Sequence, residues 1–88
     1  MQEEKKNKKL IMDALAKVTK ELRGDSSLSK FSSENDFSTS IISTIERSLK
    51  DPQLTTIFKL SEAFNMKPHA LIKLIEKELP KNFSLIEK

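Results

Sequence analysis

The sequence predicts an all-α fold of five helices, and three observations support this. Apolar residues recur at intervals of three and four along most of the chain, which is the spacing of amphipathic helices. No convincing alternation of apolar and polar residues indicates a strand. One glycine and three prolines are too few for the many turns of a β architecture. We expect one compact domain, because 88 residues can form one small core but not two.

The first predicted helix runs from about residue 4 to Arg23. Its apolar positions follow one another at three- to four-residue steps: Leu10, Ile11, Ala14, Leu15, Val18 and Leu22. Gly24 ends this helix, because glycine readily takes the left-handed conformation that follows a helix C-terminus. Residues 1–9 are rich in lysine, and we expect them to form a solvated, partly frayed helix end.

Two short helices follow, at about residues 27–35 and 38–49. The first of them turns Leu28 and Phe31 inward. In the second, apolar residues at i, i+3 and i+7 predict one buried face: Ile42, Ile45 and Leu49. Residues 26–48 contain nine serines, so a disordered linker is the alternative for this region. The spaced apolar anchors favour an ordered region, since serine-rich linkers lack them.

The fourth and fifth helices are separated by the segment between Asn65 and Pro68. The fourth starts after Pro52, and we expect its inward face to contain Leu54, Ile57, Phe58 and Phe64. It ends at Asn65, a residue type that tolerates the left-handed position after a helix. The fifth has Pro68 in its first turn and ends at Pro80. Its apolar residues, Leu71, Ile72, Leu74 and Ile75, fit either burial against the first helix or a homodimer seam.

Composition disfavours an enzyme and predicts no cofactor. The chain has no cysteine and one histidine, His69, so neither a thiolate nucleophile nor a metal cluster is expected. Its 13 carboxylates are scattered, and a single glycine cannot build a glycine-rich phosphate loop. We expect a cytoplasmic protein, because a chain without cysteine suits a reducing compartment. We expect no membrane partner, because no apolar run approaches the roughly 18 residues of a membrane span. A net charge of +3 permits a nucleic-acid partner without establishing one.

The start of the third helix carries the clearest chemical signal. Small hydroxyl side chains at residues 38–40 stand where unpaired N–H groups and the helix dipole favour an anion such as phosphate. The face opposite the apolar stripe is polar and comprises Thr39, Ser40, Ser43, Thr44 and Arg47. A helix buried on one side and rich in hydrogen-bonding groups on the other suits a DNA groove.

Seven short motifs follow one another in order between residues 22 and 74. They are Leu22-Arg23-Gly24-Asp25, Ser27-Leu28 with Phe31-Ser32, Ser38 through Ile42-Ser43, Ile45-Glu46-Arg47, Asp51-Pro52-Gln53-Leu54, Ile57 to Phe64, and Met66-Lys67-Pro68. In this order and spacing, over more than half of the chain, the sequence resembles the Cro/repressor (XRE) type of helix-turn-helix domain. The resemblance implies a lambda-repressor-like fold in which the third helix enters the major groove.

The resemblance also implies roles for individual residues. The candidates for base contacts are Thr39, Ser40, Ser43 and Thr44. The candidates for phosphate contacts are Ser27, Ser29, Lys30, Ser38, Arg47 and Lys50. Glu46 and Arg23 would form a structural ion pair between the third and first helices. The sequence departs from the family pattern at Asp36 and Ser48, where many members have glycine, and in a base-reading face without Arg, Lys, Gln or Asn.

These implications predict a sequence-specific transcriptional regulator, most simply a repressor that acts by occupying operator DNA. Its DNA-binding domain would span residues 1–80, followed by a tail at residues 81–88. We expect a homodimer that binds double-stranded DNA. The alternative is an antitoxin or another protein-interaction module with weak or autoregulatory DNA binding, whose tail contacts a protein partner.

Overall fold

Five helices form the fold in the computed structural model, which describes residues 2–86 and the side chains of residues 6–86. The helices are α1 Gln2–Arg23, α2 Leu28–Glu34, α3 Thr39–Glu46, α4 Leu54–Ala63 and α5 Pro68–Lys77. The described residues contain no strand, so the predicted all-α class is confirmed. Met1 of the predicted frayed end and residues 87–88 of the predicted tail lie outside the described part of the chain.

The long helix α1 lies at the centre of the helix packing. It packs against both α3 and α5, while α2 packs against α3 and α4 against α5. The core draws on all five helices: Ala14, Leu15, Val18, Phe31, Phe37, Ile42, Ile45, Ile57, Leu60, Leu71 and Ile75. Phe31 stacks between two other rings, with centroids 6.4 Å from Phe37 and 5.1 Å from Phe64. One continuous core therefore holds α2 and α3 in a fixed relation.

Three helices end on a left-handed residue that carries a side chain. Asp36 follows α2 (φ 57°), Ser48 follows α3 (φ 60°) and Asn65 follows α4 (φ 57°). In each case the next N–H group returns to a carbonyl in the last turn. Phe37 donates to Ser32 at 2.9 Å, Leu49 to Thr44 at 2.9 Å and Met66 to Ser61 at 3.0 Å. These are the bonds of a Schellman motif, which usually has glycine at the left-handed position. The expectation for Asn65 is confirmed.

The predicted inward faces of α3 and α4 are partly wrong. The third helix was expected to continue to Leu49, but it ends at Glu46, and Leu49 is 58% exposed. The left-handed Ser48 turns the chain away before Leu49 can join Ile42 and Ile45. In α4, Leu54 and Phe58 are 68% and 52% exposed. The predicted Ile57 is buried and the predicted Phe64 packs against the core, and they are joined by Leu60 and Ser61, of which Leu60 is completely buried.

Most of the apolar residues of the fifth helix are buried within the chain, as the first of the two interpretations predicted. Leu71 and Ile75 are buried, and Leu74 packs partly buried against the core. Only Ile72 is largely exposed, at 46%. After α5 the chain returns to the start of α1, where the Asn7 amide donates a 2.7 Å hydrogen bond to the Ser84 carbonyl. Among the described helices, none is both long and apolar enough to cross a membrane.

Candidate nucleic-acid interface

The N-terminus of α3 is an exposed, capped helix start. Ser38 has extended backbone angles (φ −77°, ψ 145°), and its Oγ accepts a hydrogen bond from the Ile41 N–H at 3.2 Å. This bond satisfies one of the unpaired donors of the first turn. Thr39, Ser40 and Ile41 are all exposed. The first turn of α3 therefore presents two hydroxyl groups and one branched apolar side chain to solvent.

The outward side of α3 is formed by residues at i, i+4 and i+7: Ser40, Thr44 and Arg47. This spacing places the three side chains on one side of the helix. Ser40 and Arg47 are exposed, and Thr44 is half-buried. The Thr44 hydroxyl donates to the Ile41 carbonyl at 2.9 Å, so its oxygen remains available mainly as an acceptor. Ser43 lies beside this stripe and is also half-buried.

The opposite side of α3 is fixed to the core and to α1. Ile42 and Ile45 are 0% and 2% exposed. Beside them, Arg23 at the end of α1 forms a bidentate pair with Glu46, with Nε–Oε2 and Nη2–Oε1 distances of 2.7 Å each. The Arg23 Nη1 also donates to the Ser26 carbonyl at 2.5 Å. The resemblance implied this ion pair, and it anchors the last turn of α3 to the end of α1.

The Arg23–Glu46 pair is largely shielded from water, since the two side chains are 19% and 9% exposed. Hydrogen bonding to the Glu46 carboxylate raises the pKa of Arg23 above its already high ordinary value. The guanidinium therefore stays charged at every pH at which the protein is folded. The pair fixes the orientation of α3 relative to the end of α1.

The turn between α2 and α3 is braced from α4. The Lys59 ammonium donates to the Asp36 carbonyl, lies 3.5 Å from the Asp36 carboxylate and sits 4.9 Å from the centroid of the Phe37 ring. A cation over an aromatic face is attracted to its negative quadrupole. Lys59 thus acts on the turn that carries α3, and it is less free than Arg47 to meet an external anion.

The α2 candidates surround a second capped helix start. The Ser27 Oγ accepts a hydrogen bond from the Lys30 N–H at 3.1 Å, so this side chain is a cap. Ser29 and Lys30 are exposed in the first turn of α2. Arg47 and Lys50 are exposed as well. None of these three cations forms an ion pair with the described side chains. These three candidate cations are available to a polyanion around α3, and the exposed Lys20 of α1 lines a surface cleft together with Arg47.

A cleft of about 310 Å³ lies between α3 and the start of α4. Thr44 and Lys50 border it on one side, and Gln53 and Thr56 on the other. No side chain caps α4, and Gln53 stands exposed at its N-cap position. Reasoning from the sequence did not select Gln53 or Thr56, although the Pro52-Gln53-Leu54 motif marked this helix start. They extend the polar surface beyond the predicted candidates.

A network of polar contacts joins the C-terminus of α3 to the middle of α1. The Ser48 hydroxyl donates to the Asp13 carboxylate, which is also 3.0 Å from the Lys9 ammonium. Lys9 in turn reaches the Ser48 carbonyl at 3.4 Å. The hydrogen bond from Ser48, and then that from Lys9, lowers the pKa of Asp13 below its ordinary value. Ser48 thus has a bonding partner in addition to its unusual backbone conformation.

The described side chains contain no cluster of three or more His, Asp or Glu residues that could hold a metal ion. His69 is exposed in the first turn of α5, away from α3. Comparison with protein-family models, curated proteins and solved structures gives no match to this chain.

Proposed function

We propose that this protein is a DNA-binding transcriptional regulator that inserts α3 into the major groove. The observation that carries the proposal is the contrast between the two sides of α3. One side is immobilised by Ile42, Ile45 and the Glu46–Arg23 ion pair, while the other is a solvent-exposed polar stripe ending in Arg47. A rigid helix with exposed hydrogen-bonding groups is what groove recognition requires.

The composition of the stripe favours modest discrimination between bases. Serine and threonine hydroxyls can donate to or accept from several base edges, whereas bidentate contacts need Arg, Asn or Gln. Ile41, 41% exposed, can contact a thymine methyl group. Selectivity would therefore depend partly on DNA shape and on the spacing of two half-sites.

Phosphate contacts would come from both edges of the helix-turn-helix. Lys30 and Ser29 stand at the start of α2, and Arg47 and Lys50 follow α3. The capping hydroxyls of Ser27 and Ser38 accept backbone hydrogen bonds through their oxygens, so each O–H group remains free to donate to a phosphate. About three or four neutralised phosphates per chain, one for each of the available cations, would make binding strongly dependent on salt.

The test measures the affinity of the protein for a random-sequence DNA duplex at about 50 and 200 mM salt. Fluorescence anisotropy of the labelled duplex reports the bound fraction. We expect a steep loss of affinity with salt, and Arg47→Ala should reduce the slope by about one unit per bound chain. Lys77→Ala is the matched control, because Lys77 is an exposed cation in the last turn of α5. It should leave the slope nearly unchanged. Absence of binding at low salt, or equal effects of both variants, would refute the assignment.

The proposed regulator binds DNA as a two-fold dimer. One domain of this size, with a hydroxyl-rich reading face, would hold a single half-site weakly. Two copies would read half-sites about one helical turn apart, or about 34–36 Å. Selection of bound fragments from a random DNA pool should then yield sites with internal two-fold symmetry.

A second candidate, a protein-interaction module such as an antitoxin, is favoured by one specific observation. Leu85 and Ile86, near the end of the described chain, are 45% and 74% exposed. Adjacent exposed apolar side chains are common where a protein binds a partner. This candidate predicts weak DNA binding whose loss leaves the partner contact intact.

A further inference from the structure

A groove of about 380 Å³ lies on the side of α5 that carries Ile72. Its walls are apolar and come from α1, α4, α5 and the segment after α5: Ile11, Met12, Ile57, Ile72, Ile75 and Leu79. Two carboxylates, those of Asp51 and Glu76, stand at its edge. None of the candidate DNA-contacting residues lines it.

The C-terminal segment passes beside this groove without filling it. Its Ser84 carbonyl is bonded to Asn7, which lies one turn before Ile11 on the same side of α1. Two residues later, Ile86 is 74% exposed. The molecule therefore places a protruding apolar pair and an apolar groove next to each other on one surface.

The segment and the groove edge each carry a charge that is unpaired among the described side chains, and the two charges have opposite signs. The segment that bears Leu85 and Ile86 begins at the exposed Lys81 and is fastened next to the exposed Lys6 on α1. At the edge of the groove, Asp51 lies 3.7 Å from Lys8, whereas Glu76 forms no ion pair with the described side chains. Lys81 on the segment thus complements Glu76 at the edge of the groove.

We propose that the occupant of this groove is a second copy of this chain. In a two-fold dimer, Leu85 and Ile86 of each protomer enter the groove of the other, and Lys81 approaches the partner's Glu76. Both copies use the same surface, which is the requirement for a closed dimer. The contact supplies the dimer of the proposed regulator, but it does not depend on DNA binding and is tested without DNA.

The first measurement is the mass of the full chain by sedimentation across the micromolar range. We expect a dimer whose dissociation constant rises at least about tenfold in Ile86→Asp and in Ile72→Glu, because each change puts a charge into an apolar contact. Leu54→Asp is the matched control, since Leu54 is an equally exposed apolar residue on α4, outside the groove. It should leave the mass unchanged.

Exchanging the charges of Glu76 and Lys81 tests the orientation of the two protomers in the dimer. Glu76→Lys and Lys81→Glu should each weaken the dimer, and the two changes together in one chain should restore it. If the double variant loses as much free energy of dimerisation as the two single variants lose together, the proposed pairing is overturned.

The absence of native cysteine permits a covalent test that does not depend on the stability of the charged variants. A mixture of Ile72→Cys chains with Ile86→Cys chains should form a disulfide-linked dimer containing one of each. Neither chain alone should link as efficiently. A disulfide that forms only between two Ile86→Cys chains would overturn the proposal.

Three other results would also overturn it. They are a monomeric mass at every concentration, a dimer unaffected by Ile72→Glu and Ile86→Asp, and a dimer lost equally in Leu54→Asp. The first would leave the exposed Leu85 and Ile86 for a different protein, as the antitoxin alternative predicts. Loss of DNA binding with an intact dimer would refute the proposed function and not this interface.

Discussion

Ser48 illustrates how one residue can combine an unfavourable backbone conformation with a favourable contact. A left-handed conformation costs an ordinary L-residue about 1–2 kcal/mol, a cost that glycine avoids. Against this, the Ser48 hydroxyl donates to Asp13 and so ties the end of α3 to α1. Asp36 has the same combination, because its carbonyl and carboxylate both engage Lys59. The two positions where the sequence lacks an expected glycine therefore each gain a tertiary contact.

Replacing Ser48 separates these two effects. Ser48→Ala loses the hydrogen bond and keeps the strained conformation, so we expect a loss of about 1 kcal/mol in the free energy of unfolding. Ser48→Gly loses the same bond but relieves about 1 kcal/mol of backbone strain, so its stability at neutral pH should be close to that of the parent protein. Urea denaturation measures both differences.

The pH dependence of the Ser48→Gly variant follows from Asp13. Since contacts in the folded protein lower the pKa of Asp13, they stabilise the fold above the ordinary carboxyl pKa. That contribution is lost as the pH falls through the lower folded-state pKa. In acid, where Asp13 is protonated, the parent protein loses the stabilisation from this contact. The free energy of unfolding of Ser48→Gly should therefore exceed that of the parent protein at low pH. A difference independent of pH would show that Ser48 does not act through Asp13.

At the scale of elements, the ion pair between Arg23 and Glu46 sets the position of α3 relative to α1. Removal of one partner from a shielded pair leaves the other charge without compensation. We expect Glu46→Ala to lower the free energy of unfolding by about 3 kcal/mol, and Arg23→Ala to have a similar effect. Thermal and urea unfolding followed by circular dichroism give the two values.

The matched control for this prediction is the exposed pair between Lys17 and Glu78, which joins α1 to the end of α5 at 2.9 Å. Lys17→Ala should leave stability essentially unchanged, because side chains 58% and 32% exposed are well solvated. The double variant Arg23→Ala/Glu46→Ala should lose less than the sum of the two single changes. Strict additivity would contradict a direct coupling between Arg23 and Glu46.

The sequence predicted the helices better than it predicted their ends. The apolar periodicity located all five helices, and the glycine after Arg23 and the proline in the first turn of α5 marked two boundaries correctly. It placed the end of α3 too late, because nothing in the local pattern shows that Ser48 will be left-handed. The residue that bonds to the Ser48 hydroxyl in that conformation, Asp13, lies 35 residues earlier. Periodicity likewise misplaced Leu54 and Phe58, since it does not reveal which side of α4 meets α5.

The candidate interface was also predictable in part, because apolar periodicity identifies the buried side of a helix. Side chains opposite a buried stripe have to face solvent, so Ile42 and Ile45 sufficed to predict that Ser40 and Arg47 are exposed. The half-burial of Thr44 and its proximity to Gln53 depend on how the start of α4 approaches α3. That approach is a property of the assembled core.

For the whole molecule, the arrangement separates two surfaces. The α3 stripe, Lys30 and Lys50 form one surface, whereas the groove and the C-terminal apolar pair involve α5 and the first turns of α1. None of the candidate DNA-contacting residues lines the groove, although Asp51 and Pro52 border both the groove and the cleft beside α3. We expect a dimer formed in the groove to leave the α3 candidates free for DNA. Self-association and DNA binding can therefore be separated by mutation.

The slope of DNA affinity against salt should thus report the oligomeric state. A dimer neutralises about twice as many phosphates as a single chain, and the slope is proportional to that number. Ile86→Asp, which changes no residue of α3, should therefore reduce the slope by about half while single chains still bind at low salt. Arg47→Ala should instead leave the dimer intact and remove about one unit per chain. Anisotropy titrations of both variants, with the bound mass measured in parallel by sedimentation, test this. An unchanged slope in a demonstrably monomeric Ile86→Asp protein would mean that a single chain makes all the phosphate contacts.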